Sequence, residues 1–466
     1  MTSFDRVDSR SAGADRADAP RSLIGTEFAE TLKLAIPLAL TQLAQIAMMT
    51  TDLALIGRLG TDAVAAAALG QTVSFMSFVI GMGLVSAVAP LTAQAFGARD
   101  PHRLRRALRV GLWASLFVGV PITVFQLFGK QVLLALGQTP ALAQLASHYL
   151  SGMAWGTVPG LLAIAIRGFM GSVNRPEPGL WIMLAAIPLN GLLVYALIYG
   201  AFGLPQLGLF GAGLGTSLVN YGMCIASMVV VDRMRPFRKF RVFGHILKAD
   251  WVLMRELVVV GAPISIAFAL EYGLFGSAAL LMGLISPVAV SAHQIALNVA
   301  AVLFMVPFGI SMAATVRVGH AVGRGEPAAV RRAGLTAIAL GVVFMTVMTA
   351  IVLVLRDEVA VLFLGVGADQ EAYRLTAVLL IVGTTFFIGD GVQTVAAGSL
   401  RVMSDTRIPM LMSAVSYWLI GFAASCLLGF TAHLGAPGVW IGLSIGTAFY
   451  STMLVTRFIV LTRRTG

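Results

Sequence analysis

Apolar stretches of about 20 residues recur along the whole chain, and they restrict its fold more than any other feature. A helix that rises about 1.5 Å per residue needs that length to cross a hydrocarbon core of roughly 30 Å. Backbone groups in lipid must be hydrogen-bonded within the protein, so these stretches predict membrane-spanning helices. We predict twelve spans, centred near residues 44, 77, 118, 155, 190, 220, 267, 302, 343, 387, 418 and 449.

The composition agrees with a protein whose main partner is the lipid bilayer. Hydrophobic residues make up 58% of the chain and charged residues 11%, and the mean hydropathy is +0.89. Soluble domains usually carry about 25% charged residues. Residues 1–30 are rich in Asp, Arg, Ser and Ala, and no apolar region with a cleavage site follows their start. We therefore predict a disordered cytoplasmic tail over 1–30 and no signal peptide.

The basic residues are distributed unevenly between the two sides of the predicted membrane. If the N-terminus lies inside, 28 of the 32 Lys and Arg residues fall on that side, and the four exceptions are Arg58, Lys130, Arg356 and Arg374. This asymmetry predicts that both termini are cytoplasmic. The net charge of +11 does not indicate nucleic-acid binding, since the basic residues do not cluster on a polar domain.

The two halves of the chain are related by duplication. Positions 37–107 align with 263–333 without a gap, and this alignment pairs identical residues such as Gly97 and Gly323. We call it the repeat alignment. Each half contains six predicted spans. An even number of spans returns the chain to its starting side, so the second half has the same orientation as the first.

We therefore predict an all-α polytopic membrane protein with twelve transmembrane helices in two six-helix lobes. A pseudo-twofold axis along the membrane normal relates the lobes. The predicted segments are a first lobe over 31–232, a basic cytoplasmic linker over 233–250 and a second lobe over 251–466.

Three carboxylates, Asp52, Glu271 and Asp390, lie inside apolar sequence. A carboxylate at the bilayer centre costs about 2.5 to 3.5 kcal/mol, so such residues usually face a wet cavity or a partner and carry function. Hydrogen bonding between helices is the alternative for Glu271 and Asp390. For Asp52 the alternative is a solvated helix end, although Thr41, Gln45 and Asp52 recur at helical spacing and indicate a polar stripe.

Other polar residues in the spans are candidates for the lining of a substrate path. Interhelical hydrogen bonding is the alternative explanation for each of them. The chain also has 21 methionines and 26 phenylalanines, which could form an adaptable apolar cavity. The polar candidates are Gln45, Asn190, Gln294, Asn298 and Gln393.

Several strings in the sequence resemble the multidrug and toxic compound extrusion family, specifically its NorM-like branch. The resemblance covers nearly the whole chain from about residue 30. The strings are Thr51-Asp52 followed by Gly57, then Pro188-Leu189-Asn190, Glu271, the segment from Ala292 to Asn298, and Asp390 leading to the segment from Ala396 to Arg401.

The resemblance implies two six-helix lobes in a V-shaped arrangement and export driven by inward flow of protons or sodium ions. It implies that Glu271 and Asp390 form the cation site, which would hold Na⁺ if the protein is sodium-coupled, and that Asp52 takes part in proton coupling. Relatives in this family suggest a tyrosine near Asp390. This chain has Phe386 and Phe387 there, which argues against direct coordination by a hydroxyl group.

The sequence as a whole predicts an antiporter that exports amphipathic, often cationic, small molecules across a bacterial inner membrane by alternating access. Carboxylates in the spans, with Arg167 as almost the only buried basic residue, favour cationic substrates. We expect a monomer that needs no cofactor beyond the coupling H⁺ or Na⁺.

Two alternatives remain open, and a third is not expected. A flippase or exporter of lipid-linked or other amphipathic metabolites would favour several arginines facing the cavity. A passive channel would differ from a carrier in counterflow. An intramembrane enzyme is not expected, since the sequence contains neither a His-Glu-x-x-His motif nor a usable nucleophile.

Overall fold

The computed structural model describes residues 23–244, 250–365 and 369–464, and the longer elements in these ranges are all helices. The first half contains α1 (Leu23–Gly57), α2 (Thr61–Ser86), α3 (Val88–Gly97), α4 (Pro101–Leu127), α5 (Gly129–Ala135), α6 (Pro140–Ala154), α7 (Thr157–Ser172), α8 (Glu177–Tyr199) and α9 (Gly208–Arg233). The second half contains α10 (Trp251–Ile285), α11 (Pro287–Arg324), α12 (Pro327–Val354), α13 (Arg356–Leu364), α14 (Gln370–Val402), α15 (Arg407–Thr431) and α16 (Gly435–Arg464).

These helices supply the twelve predicted membrane crossings. Eleven helical segments in the described ranges are long and apolar enough to cross a membrane, and α2 and α3 together form one of them. The bent pair α6 and α7, with 45° between its members, supplies the twelfth. Each predicted centre falls within one of these crossings, and the centre near 155 falls at the bend. The protein is therefore a multi-pass membrane protein, as predicted.

The start of α1 corrects the predicted N-terminal tail. Residues 23–30 are helical, so only the residues before 23, which lie outside the described ranges, remain for a tail. Glu27 explains why the helix begins so early, because it is buried and its carboxylate accepts two hydrogen bonds from Arg317 of α11, at 3.0 and 2.9 Å. This contact anchors the first turns of α1 to the other half of the molecule.

Local sequence signals fix several helix boundaries. The carboxylate of Asp100 caps α4, because it accepts hydrogen bonds from the backbone amides of His102 and Arg103. Pro101 occupies the first helical position. Ser286 and Pro287 repeat this arrangement at the start of α11. Proline suits the first turn because its missing N–H would have no partner there. At the other end of α11, Gly325 adopts φ 69°, a left-handed conformation that favours glycine.

The duplicated halves make reciprocal contacts across the pseudo-twofold axis. A Cβ built on Gly83 would lie 2.5 Å from the Cα of Ser265, and one built on Gly309 would lie 2.5 Å from the backbone nitrogen of Ala39. The repeat alignment pairs Gly83 with Gly309 and Ala39 with Ser265, so the two contacts are equivalent. Only glycine permits such a close approach of two helix backbones. The sequence repeat is therefore a symmetric interface in three dimensions.

The two halves also share parts of their hydrophobic cores. Leu34 and Leu38, in the first half of α1, belong to the core formed mainly by the second six-helix half. Leu257 and Ile264, in the first half of the equivalent helix α10, belong to the core of the first six-helix half. Each six-helix half therefore holds a segment of its partner.

Contacts between the halves concentrate toward the face where α1 begins and α16 ends, which we call the terminal face. Ion pairs join Arg317 to Glu27 and Arg103 to Glu256 at 2.9 and 2.7 Å there, and Arg106 also bonds the carboxylate of Asp250. Arg106 holds the pKa of Asp250 below the usual carboxyl range.

In the opposite half of the membrane-spanning region the two lobes border a space of about 370 Å³, which we call the central cleft. Four helices line the central cleft, namely α1, α2, α10 and α11. In each of them the lining residues lie in the part of the helix that is farther from the terminal face. The structure is thus closed at the terminal face, with the cleft in the other half. Residues lining the cleft include Met49, Phe75, Met76, Tyr272, Phe275 and Leu297.

Candidate functional site

A buried carboxylate in the first lobe is held by side chains from three helices. Asp52 of α1 is 8% exposed and accepts hydrogen bonds from the amide of Asn190 on α8 and from the hydroxyl of Thr216 on α9, the latter at 3.0 Å. Asp52 is therefore enclosed in the lobe and is not a solvated helix end. We call Asp52, Asn190 and Thr216 the first-lobe cluster.

One oxygen in this cluster has no hydrogen-bond partner in the described part of the chain. The side-chain carbonyl oxygen of Asn190 is buried, and within the described ranges nothing donates to it. Buried polar atoms in folded proteins are nearly always satisfied by protein or water. A free acceptor beside a carboxylate is suited to a proton-bearing group or a cation. Thr216 was not predicted from the sequence, since a lone hydroxyl in a span has no distinctive pattern.

The second lobe contains a cluster organised by one amide. The side-chain nitrogen of Gln393 donates to Glu271 at 3.1 Å and to Asp390 at 2.9 Å. Its side-chain oxygen accepts a hydrogen bond from the hydroxyl of Tyr417 at 2.7 Å. We call these four residues the second-lobe cluster. The structure thus brings Glu271 and Asp390 together, as the resemblance implied, and joins to them Gln393, which was predicted only as a path residue.

Tyr417 is the member of this cluster that sequence reasoning missed. The two phenylalanines before Asp390 suggested that the site lacks a nearby hydroxyl, but α15 supplies one from a distant part of the sequence. Tyr417 lies in a π-helical stretch, Val415–Phe422, and such stretches are frequent at functional sites. Phe386 and Phe387 instead pack edge-on against the buried ring of Trp440.

A positive charge lies close to the second-lobe carboxylates. The guanidinium carbon of Arg401 is 4.9 Å from the ring centre of Phe268, which precedes Glu271 by about one helical turn on α10. Cations near an aromatic face are attracted by its quadrupole. Arg401 therefore provides a fixed charge beside the carboxylate pair, on the side of the terminal face.

Three predicted path residues do not join either cluster. Gln45 is half-buried, and Gln294 and Asn298 are not among the buried polar residues. Their side chains make no hydrogen bond to the clusters in the described part of the chain. The cleft instead presents two polar residues that were not predicted, Gln71 and Thr72 of α2, and Gln71 accepts a hydrogen bond from Tyr149 at 3.0 Å.

The ligand set of the second-lobe cluster consists only of oxygen atoms from two carboxylates, an amide and a phenol. Such atoms suit hard cations. The described ranges contain no group of three or more His, Cys, Asp or Glu side chains that could hold a metal ion. The cluster therefore fits a proton or a singly charged cation better than a tightly bound divalent metal. The sodium site at Glu271 and Asp390 stays a prediction.

Twelve crossings in two symmetric halves, a cleft between them and a buried carboxylate cluster in each half define a polytopic membrane transporter. The family model MatE matches residues 37–196 and 263–427, one segment in each half, and the repeat alignment pairs the two starting positions. The chain belongs to this family, the multidrug and toxic compound extrusion transporters, and to its NorM-like branch.

Relatives of high similarity cover nearly the full chain. A protein of Bradyrhizobium diazoefficiens is 56% identical over 100% of this chain and 99% of its own length, and one of Rhodopseudomonas palustris is 59% identical over 96% and 94%. Both are named "Probable multidrug resistance protein NorM". Among solved structures, the eukaryotic MATE transporter AtDTX14 has a TM-score of 0.84 at 20% identity, covering 95% of this chain and 98% of its own.

Proposed function

We propose that this protein is a cation-coupled multidrug exporter of the bacterial inner membrane. It moves amphipathic, often cationic, compounds outward in exchange for inward H⁺ or Na⁺ by alternating access. The observation that carries this proposal is the presence of one buried carboxylate cluster in each lobe, with the central cleft between the lobes. The names of the two closely similar bacterial relatives support the substrate class.

The lining of the central cleft supports amphipathic substrates. Met49, Met76, Phe75, Phe275 and Tyr272 come from both lobes and present flexible thioethers and aromatic rings. Methionine adapts to irregular shapes, and aromatic faces attract organic cations. A cleft of this kind accepts many apolar cations and selects weakly among them, as a multidrug exporter requires.

The second-lobe cluster supplies the coupling step. Two carboxylates that share one amide donor repel each other when both are ionised, and an entering proton or sodium ion relieves that repulsion. The cation then has a different affinity for different states of the protein, which an ion-driven conformational change requires. The first-lobe cluster provides a second site at which Asp52 can exchange a proton or attract a cationic substrate.

The orientation follows from the distribution of basic residues. The terminal face is cytoplasmic in this proposal, since it carries most of the Lys and Arg side chains. The structure, closed at that face, then corresponds to a state in which the cleft serves the outside of the cell. The working unit is a monomer, because each chain contains both carboxylate clusters and its own cleft.

The deciding experiment is efflux of a fluorescent cationic drug from proteoliposomes in which the proton and sodium gradients are imposed separately. We expect one of the two gradients to drive uphill drug movement and the other to have no effect. Drug movement that never exceeds equilibration under either gradient would indicate a channel. Drug-independent translocation of a labelled lipid-linked substrate would instead support the flippase alternative.

A further inference from the structure

Two hydrogen bonds at the terminal face join the lobes in equivalent ways. The side-chain amide of Gln94, on α3, donates to the backbone carbonyl of Val402 at the end of α14. The ring nitrogen Nε2 of His320, on α11, lies 2.7 Å from the backbone carbonyl of Ser172 at the end of α7. A carbonyl only accepts, so this nitrogen carries the hydrogen. The repeat alignment pairs Gln94 with His320, so the two donors occupy equivalent positions in the two halves.

The two acceptors are equivalent as well. Ser172 and Val402 are the last residues of their helices, and in each case the residue two positions later, Asn174 or Ser404, adopts φ 59°. Carbonyls in the last turn of a helix have no partner within it. Each lobe therefore offers one such carbonyl, and the opposite lobe supplies its donor. The two bonds are a single contact repeated by the pseudo-twofold axis.

A close crossing of backbones brings the donors within reach. A Cβ built on Gly97 would overlap the carbonyl oxygen of His320, and one built on Gly323 would overlap the carbonyl oxygen of Gln94. Real Cβ atoms do not approach a backbone oxygen so closely. The two glycines, which the repeat alignment also pairs, therefore allow the helices α3 and α11 to meet.

We propose that Gln94 and His320 form a twofold latch that holds the terminal face closed and releases once in every transport cycle. This inference rests on the proposed function, since alternating access requires the terminal face to open. Because the axis passes between the two bonds, separation of the lobes breaks both in the same step. The released carbonyls then meet water, so each bond adds only a modest barrier and the latch closes again without a large driving force.

The latch can be tested by measuring the distance between the lobes directly. Spin labels are placed on Arg175→Cys and Arg407→Cys, two exposed residues that follow α7 and α14 at the terminal face. The background lacks the native cysteines, through Cys224→Ala and Cys426→Ser. Double electron–electron resonance on the purified full chain in lipid then gives the fractions of molecules with short and long distances. This readout requires no drug transport.

His320→Leu and Gln94→Leu remove one donor each at similar size. Each variant should raise the ratio of long to short distances roughly two- to tenfold, which corresponds to one net hydrogen bond. The double variant should show the product of the two single effects, since both bonds break together. His320→Gln restores an amide donor at the same position, makes the two halves alike, and should keep the original ratio.

The backbone crossing provides an independent test. Gly97→Ala and Gly323→Ala should shift the molecules to long distances, because the added methyl group meets a backbone oxygen that cannot move aside. Gly222→Ala is the matched control, because it lies in a helix and no atom of the described residues lies within 4 Å of the added Cβ. If the glycine variants do not accumulate in the membrane, the comparison of His320→Leu with His320→Gln decides the question.

Two outcomes separate the latch from the proposed function. If neither leucine variant changes the spin-label distances and the protein still exports drug normally, the latch is overturned and the export proposal stands. The expected shifts in a protein that moves no drug under any gradient would retain the latch and overturn the export proposal. A His320→Gln variant as open as His320→Leu would also refute the hydrogen-bond explanation.

Discussion

The second-lobe cluster allows a quantitative prediction for the coupling step. Since 3.1 and 2.9 Å separate Glu271 and Asp390 from the same nitrogen of Gln393, their bonded oxygens lie no more than about 6 Å apart. Two like charges at that distance repel by about 3 kcal/mol at an effective dielectric constant of about 20. A bound coupling cation relieves this repulsion, and this contribution to its binding free energy exists only while both carboxylates are present.

Removal of one charge, by Glu271→Gln or Asp390→Asn, should therefore weaken coupling-cation binding about a hundredfold, since about 1.4 kcal/mol corresponds to a factor of ten. The double variant should be little worse than either single variant, because residues that act as one unit are strongly non-additive. Equilibrium binding of drug should change much less than gradient-driven efflux.

The assay is drug efflux from proteoliposomes, measured as a function of the concentration of the coupling cation. Gly222→Ala is a suitable control, because it lies in a span of the first lobe and, among the described residues, nothing lies within 4 Å of the added Cβ. The reasoning would be refuted if the half-saturating cation concentration rose less than about threefold in the single variants. It would also be refuted if the two single losses multiplied in the double variant.

Three further predictions concern other parts of the molecule. Asp52→Asn should impair drug resistance at unchanged membrane abundance. Asn190→Ala, which removes the amide that donates to Asp52, should impair resistance as well. Wild-type resistance in Asp52→Asn at matched expression would make Asp52 a purely structural residue. A reporter fused at Arg238 should be active only in the cytoplasm, and periplasmic activity there would reverse the proposed topology. Asp250→Asn should weaken closure of the terminal face by at most about 1 kcal/mol, as expected for a partly exposed ion pair. Because Arg106 lowers the pKa of Asp250, the ion pair contributes its full stabilisation above the ordinary carboxyl pKa and loses it only as the pH falls through the lowered pKa. The effect of Asp250→Asn on the spin-label distances should therefore be constant between about pH 5 and 8.

The sequence predicted the fold well because its main determinants are local. Span length, the even number of spans and the internal repeat follow from hydropathy and from simple alignment of the chain with itself. The tail boundary was less accurate, because the helix of α1 extends to Leu23 through a contact with Arg317, which is remote in sequence. Hydropathy contains no information about such a partner.

The candidate site was predicted in part for the same reason. A carboxylate in apolar sequence is conspicuous wherever it occurs, so Asp52, Glu271 and Asp390 could be selected without a structure. The hydroxyls of Thr216 and Tyr417 could not, because a threonine or tyrosine in a membrane helix is common and only the packing of α9 and α15 places these two at the clusters. Gln294 and Asn298 bond to neither cluster in the described part of the chain and stay predictions, since polarity in a span does not specify which neighbour a side chain meets.

The shared cores of the two halves bear on how such a protein could have arisen. The first half of α1 packs with the second lobe, and the first half of α10 packs with the first lobe. A six-helix half produced alone would therefore leave apolar surface uncovered and would lack part of its own interior. An ancestral six-helix chain would have resolved this by exchanging its first helix with a second copy, in the way that identical subunits form a closed pair around a twofold axis. Fusion of two such copies into one chain would keep the exchanged helices, so that each lobe of the present protein has a complete interior only when both halves are present.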